Sequence, residues 1–271
     1  MVRYPAVAGQ FYAGKEASLR REVEACFKSS IGPGYLPKLE SGPRNIVGAV
    51  VPHAGLVYSG PVAAHVYAAL AKDGFPDTFV IIGPNHNGIG AGVASTDEDF
   101  ETPFGVASID QDIVSKLKGV VDNDPISHRF EHSIEVQLPF IQYIKRDIKI
   151  VPISMGFQDY ETAVDTAKAV KKAIAGRDVC IIASSDLSHY IPPEKARELD
   201  TKVIDKILAL DPKGMYDTVT RNDVTMCGYG PVMTMLLSCG GKQARLLRYA
   251  NSGDVHPMDS VVGYAGIIVT N

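Results

Sequence analysis

The chain has 271 residues, of which 45% are hydrophobic, and carries a formal net charge of −4. That length suits one large α/β domain or two small ones, and the charge offers no footprint for nucleic acid or an anionic membrane. No apolar run approaches the roughly 18–20 residues needed to span a bilayer; the short Gly/Pro-broken stretch in MVRYPAVAGQFY does not read as a signal peptide, and the chain reads as cytoplasmic.

In chain order, Leu19, Val23 and Phe27 form one apolar stripe and predict a helix over 16–28. The Gly/Pro-rich segment 31–45 reads as a surface loop, and Ile46–Val51 as a buried strand. A helix is expected from near Pro61, with Val62, Val66 and Leu70 on its buried side. Phe79–Ile82 is the next strand, followed by a turn-rich excursion through ASTDEDFETPFG with short antiparallel strands. Helices are expected over 109–118 and 134–144, the second bent or broken at Pro139. Ile148–Ile153 and Val179–Ala183 read as strands flanking a helix over 160–175. Pro193 opens another helix, and a shorter one follows Pro231 and stops at Gly240-Gly241. Arg245–Tyr249 and Val261–Val269 close the chain as β-branched strands around NSGDVHPMDS. Alternating strands and helices predict a single α/β domain over 1–271, a mainly parallel or mixed sheet between helical layers.

Three histidines sit just beyond short apolar runs: His53 in GAVVPHAG, His86 in FVIIGPNHNG and His189 in CIIASSDLSHY. The carboxyl ends of strands are where open α/β sheets place their chemistry, and histidine is the commonest metal ligand. A lone loop histidine is ordinarily solvated, but His53 and His86 at equivalent strand ends together point to a metal site. Asn85 and Asn87 favour the turn and offer amides to a substrate, and Tyr58 would stand at the pocket wall. Asp186, three residues before His189, can fix its tautomer for acid/base work, against a plain capping role. In SHRFEHSIEVQLPF the order of residues is not the HExxH of metalloproteases, but Glu131 and His132 can stand behind the metal ligands. His65, beside the stripe of its helix, reads as structural. Cys26, Cys180, Cys227 and Cys239 show no CxxC spacing, which argues against a structural zinc knot. Cys26 and Cys180 read as core residues; Cys227, in the turn TMCGYGP, has lining of the cleft as its alternative. Asp254 and His256 lie at a further strand end and can complete a two-histidine, one-carboxylate set of the kind that holds non-haem Fe(II).

The motifs RYPAVAGQFY, VPHAGLVYSG, GPNHNG, EHSIEVQLPF, SSDLSHY and YANSGD followed by VVGYAG resemble the Memo (mediator of cell motility) family, in order and along the whole chain. The resemblance implies a three-layer α/β/α domain similar to class III extradiol ring-cleaving dioxygenases. By motif it makes His53 and His86 the metal histidines and His189 the acid/base, with Asp186 beside it. It also implies a cysteine in the loop between the last two strands, which counting places at Val255 or Asp254. Valine cannot bind metal, so Asp254 becomes the expected third ligand and His256 the second choice, and an oxygen donor favours Fe(II), with zinc or copper as alternatives. The expected function is an oxygen-dependent oxidoreductase acting on an aromatic or other small substrate. The alternatives are a peptide- or protein-binding module using the same histidine-lined cleft, and an accessory subunit of a radical SAM protein.

Overall fold

The computed structural model describes all 271 residues. Two residues of strand, β1 (Val2–Arg3), precede helix α1 (Glu16–Lys28), strand β2 (Ile46–Val51), helix α2 (Leu56–Asp73) and strand β3 (Thr78–Pro84). The excursion then supplies β4 (Val93–Ser95), β5 (Asp99–Thr102) and β6 (Gly105–Ile109), followed by α3 (Gln111–Lys116), β7 (Asp122–Asn123) and α4 (Ile126–Arg129). A 3-10 turn over Glu135–Gln137 leads into α5 (Leu138–Ile144). Next come β8 (Lys149–Met155), α6 (Tyr160–Ala173), β9 (Val179–Ser184), β10 (His189–Ile191) and α7 (Pro193–Leu208). The chain ends with α8 (Pro212–Arg221), α9 (Tyr229–Ser238), β11 (Gln243–Asn251), α10 (Ser252–Val255) and β12 (Val261–Thr270).

Five strands form a parallel block in the order β6-β8-β3-β9-β2, and antiparallel β12, flanked by β11 and β10, extends it. Strands covered on both faces read as continuous apolar runs, which is the pattern of β3, buried at all seven positions. Helices α1, α2 and α5 pack together on one side, while α6, α8 and α9 form a layer on the other. The result is a three-layer α/β/α architecture with a mixed sheet, around a main core cluster of 63 buried residues. No helix is long and apolar enough to cross a membrane.

Two local expectations need correction. Helix α2 begins at Leu56, not Pro61, so the proline lies one turn inside it. The ring there removes only one early backbone bond, the one that would otherwise reach Val57. Helix α8 has no counterpart among the expected elements; its signal is Asp211, whose side chain accepts from the Gly214 N–H, ahead of Pro212 at the first helical position. The interruption expected at Pro139 is present: the 3-10 turn over Glu135–Gln137 gives way to α5 there, with the proline in the first turn of α5.

The topology decides where chemistry can sit. Strands β3, β9 and β2 are parallel neighbours. The segments leaving their carboxyl ends carry His86, Asp186 and His53 to one edge of the sheet.

Candidate metal centre

His53 is buried, and its ring nitrogens can be told apart from their partners. The Ser184 hydroxyl donates to the Ser133 carbonyl (2.6 Å) and accepts from the Gln137 side-chain amide (2.7 Å). With its proton spent, it can only accept from His53 Nδ1 at 2.9 Å, so Nδ1 carries the hydrogen and Nε2 keeps its lone pair. Nε2 lies 3.3 Å from Cys227 Sγ. Burial, then the neighbouring His132 and His86, hold the His53 pKa well below the ordinary range. The ring is therefore neutral, as a metal ligand must be.

His86 is built the same way. Its Nδ1 meets Glu131 Oε1 at 2.9 Å, and its backbone N–H donates to Oε2 at 2.6 Å. An ionised carboxylate only accepts, so Nε2 is again the free nitrogen. Glu131 is saturated: the backbone N–H groups of His132 and Ser133 each donate to Oε1 at 2.8 Å, and the Asn87 amide reaches Oε2 at 3.3 Å. Burial opposes its charge, but the His86 hydrogen bond and the neighbouring donors outweigh it and hold its pKa far below the usual carboxylate range. A carboxylate behind a ligating imidazole fixes the ring and raises its basicity. Glu131→Gln should keep the fold yet weaken metal binding by roughly 10–100-fold, which chelator competition would measure; unchanged affinity would remove Glu131 from this role.

Two donor groups can be assembled here. His53, His86 and Cys227 each offer an atom within 4.8 Å of the other two, as do His86, Glu131 and His132. In the second set Glu131 is already committed to His86 Nδ1 and to the His132 and Ser133 N–H groups, so the first is the one left to a metal. His132 stacks on His86 with centroids 4.5 Å apart, and Phe11 packs against its ring at 4.6 Å. Burial, partly offset by Glu131, pushes His132 down to about 4. His128 lies apart, with Nε2 3.2 Å from the Ala94 carbonyl, and burial also pushes it down to about 4.

These neutral rings predict an acid sensitivity. Unfolded histidines take up their protons near pH 6.5, whereas His128 and His132 do so in the fold only near 4. The unfolded state therefore binds more protons between those values. Metal-free protein should lose on the order of 3 kcal/mol per histidine as the pH falls from about 6.5 to about 4. His53 acts in the same direction, and Glu131 adds its own loss only below about pH 4. Urea unfolding of chelated protein across that range would show it; a flat profile would mean these rings are charged in the fold.

Cys227 stands in the loop between α8 and α9. Its sulfur accepts from the Asp186 N–H at 3.2 Å, and burial, then the Asp186 carboxylate, push the thiol pKa up. In the metal-free site that proton faces the His53 lone pair; a metal takes its place, since a coordinating thiol is deprotonated outright. Next to it, a side chain on Gly228 would meet the Ser184 carbonyl at 2.5 Å, so only glycine lets the loop approach β9 this closely.

His189 is oriented differently from the expectation. Its Nδ1 donates to the Thr225 carbonyl at 2.7 Å and its backbone N–H to Thr225 Oγ1, so Thr225, not Asp186, sets the tautomer. Asp186 instead accepts from the backbone N–H groups of His53 (2.8 Å) and Ala54 (3.4 Å), and burial raises its pKa. Tyr190 adopts a left-handed φ of 58° within a bulged pairing and is 79% exposed.

The residues expected as third ligand are elsewhere. Asp254 accepts from the Asn251 N–H in a capping box at the start of α10. It also lines a surface groove of about 860 Å³ beside α7, with Arg197 and Met258, which holds none of the histidines. His256 is exposed, its ring 5.9 Å from that of Tyr58. Neither joins a donor group, and Cys227 does. The loop between β11 and β12, where the resemblance implies a cysteine, holds none, and the sulfur that does stand beside the histidines is Cys227, from the loop before α9. Asn85 is also spent: its side chain accepts from the Asn87 and Gly88 N–H groups and donates to Ile89, shaping the turn.

Two imidazole nitrogens with free lone pairs and one sulfur, each backed by a hydrogen-bonding partner, fit a divalent transition metal. Comparison with known proteins agrees in placing the chain. A MEMO1 family protein of Methanothermobacter thermautotrophicus is 47% identical over 98% of this chain and 99% of its own. One from Methanosarcina acetivorans is 49% identical over 99% of each. The crystal structure of the uncharacterized Escherichia coli K12 protein JW3007 shares the fold, with a TM-score of 0.55 at 14% identity, over 82% of this chain and 99% of that one. The family described as Memo-like protein matches residues 3–268, and the chain belongs to the Memo family.

Proposed function

We propose that this protein holds a mononuclear divalent metal, Fe(II) in the first instance, on His53, His86 and Cys227, in a cleft suited to oxygen-dependent oxidation of a small substrate. The observation that carries the reading is the convergence of those three donors within 4.8 Å, with Ser184, Glu131 and the Asp186 N–H holding each in place. A sulfur donor withdraws the preference for iron over copper that an oxygen ligand would have given, so Fe(II) is placed first only by the resemblance to ring-cleaving dioxygenases, and zinc and copper are direct competitors. When bound, the metal would supply Lewis acidity toward a substrate hydroxyl and, if it is iron, access to oxygen chemistry.

The chain's own contribution is orientation and proton handling. With Nδ1 committed to the Thr225 carbonyl, His189 keeps its Nε2 lone pair, and in this reading that lone pair takes a proton from a substrate hydroxyl and returns it. Anaerobic purification with metal analysis tests the reading, wild type beside His53→Ala/His86→Ala. About one metal per chain, lost in the variant, supports it. No metal in wild type even after Fe(II) reconstitution overturns it.

A second reading has an observation of its own. Tyr190 and Phe157, 79% and 67% exposed, stand next in sequence to His189 and to Gln158, whose amide donates to the Cys227 carbonyl. Large exposed rims of this kind mark docking sites, and a peptide or a radical SAM protein is the partner to test by direct binding.

A further inference from the structure

The groups standing behind the two histidines differ in kind. Glu131, behind His86, is an ionised carboxylate that only accepts, so it fixes the tautomer by itself. Ser184, behind His53, is a hydroxyl, which can accept from Nδ1 or donate to it. The choice is made by whatever else holds that hydroxyl.

Gln137 holds it. The residue is fully buried in the 3-10 turn, and its side chain is bonded at both ends. Nε2 donates to the Pro52 carbonyl at 3.0 Å and to Ser184 Oγ at 2.7 Å, while Oε1 accepts from the Tyr67 hydroxyl at 2.7 Å. A carbonyl cannot donate, so the atom facing Pro52 is the amide nitrogen and the amide cannot be turned over. Both of its hydrogens are then placed, one on each partner. Ser184 spends its own hydrogen on the Ser133 carbonyl, which leaves one lone pair for His53 Nδ1–H.

The same amide has a second hold on the ring. Pro52 directly precedes His53, so Gln137 ties down the backbone that carries the imidazole as well as the hydroxyl that orients it. The turn bearing Gln137 is itself pinned two residues earlier, where Glu135 is clamped by Arg3 and Tyr12. Tyr67 belongs to α2 and stacks on Phe140 with centroids 5.1 Å apart, inside the core.

We propose that Gln137 is the positioning residue of His53: it keeps the hydrogen on Nδ1 and leaves Nε2 bare, facing Cys227 Sγ 3.3 Å away. It acts only through Ser184 and Pro52. Without the amide, the Ser184 hydroxyl is free to rotate and donate to Nδ1, and the ring hydrogen then moves to Nε2, where it blocks a metal. The inference rests on the metal-centre reading only for what the bare nitrogen receives.

Long-range proton–nitrogen correlation spectra of metal-free protein with nitrogen-labelled histidine tell a protonated ring nitrogen from a bare one. The His53 signals are assigned by their loss in His53→Ala. Wild type should show the Nδ1–H form alone. Gln137→Met, similar in length but without the amide, should show both tautomers and bind zinc roughly 10–100-fold more weakly in chelator competition. Tyr67→Phe is the control. It removes a buried hydrogen bond from the same amide, but the Pro52 carbonyl still demands the nitrogen. That variant should unfold at lower urea with tautomer and zinc affinity unchanged. A wild-type ring carrying its hydrogen on Nε2 overturns the proposal without any variant. So does folded Gln137→Met that keeps the Nδ1–H form alone. Mixed tautomers in Tyr67→Phe to the same extent would also overturn it, since loosening of the core would then suffice. If wild type binds no zinc yet Gln137→Met still mixes the tautomers, the metal reading falls and the positioning role stands.

Discussion

Cys227→Ser should cost more metal affinity than the roughly 10–100-fold loss typical of removing a carboxylate behind a ligand. The reason lies in what remains. His53 and His86 alone give two neutral nitrogens on two loops, and the serine hydroxyl is a poor, protonated donor at neutral pH. The thiol, by contrast, becomes an anion when it binds, and it sits 3.3 Å from the His53 nitrogen it would share a metal with. Because serine is nearly isosteric and can still accept from the Asp186 N–H, the fold should survive, which separates loss of a ligand from loss of structure. Metal content after dialysis against a weak chelator, with thermal unfolding alongside, is the measurement. Serine protein that keeps stoichiometric metal would move the third donor elsewhere, with the Glu131–His132 pair the next candidate.

Glu135→Ala should destabilise the protein by about 3–5 kcal/mol, the range for stranding a buried charge. Glu135 is fully buried and accepts from Arg3 Nη1 (2.8 Å), the Ala6 N–H (2.7 Å), the Val7 N–H (3.1 Å) and the Tyr12 hydroxyl (2.6 Å). Arg3 would be left in the interior without its counter-charge. Replacing both partners of a simple buried ion pair with apolar residues often restores stability, but not here. Arg3→Met/Glu135→Leu should recover only the part due to Arg3, because two backbone N–H groups and a phenol stay orphaned. Urea titrations of both singles and the double give the coupling energy. Full recovery in the double variant would show that the backbone contacts contribute nothing.

Much of the site is legible in the chain because parallel strands buried on both faces leave a plain signature. IVGAVV, FVII and VCIIAS are such runs, and the turn after each is held at one sheet edge by topology alone. The architecture and the meeting of His53 with His86 come from that. Cys227 is harder to place for a physical reason: it is 174 residues from His53, on a loop between two helices whose packing against the sheet has no local code. Asp254, by contrast, carries a local signal against a metal role. Asn251 with an acid three residues later is a capping-box pattern, and the carboxylate is spent there. The Asp186–His189 spacing misleads because close sequence neighbours suggest a pair, whereas the Thr225 carbonyl, distant in sequence, is nearer in space.

The clamp on Glu135 has a consequence for the order in which the molecule assembles. Arg3 also donates to the carbonyls of Glu131 and His128, and Phe11 packs on His132 while its carbonyl accepts from the Leu56 N–H. Residues 3–12 are thus the strap that draws the Glu131–His132 turn against the loop bearing His53, with 132 positions separating Arg3 from Glu135. Contacts that distant in sequence form late, after shorter loops have closed. During synthesis the strap emerges well ahead of its partner and can find it only once residue 135 is out, and Cys227 is made later still. A metal is therefore expected to enter a protein that has all but finished folding, and the rate of its uptake should report the last step of refolding, not the first.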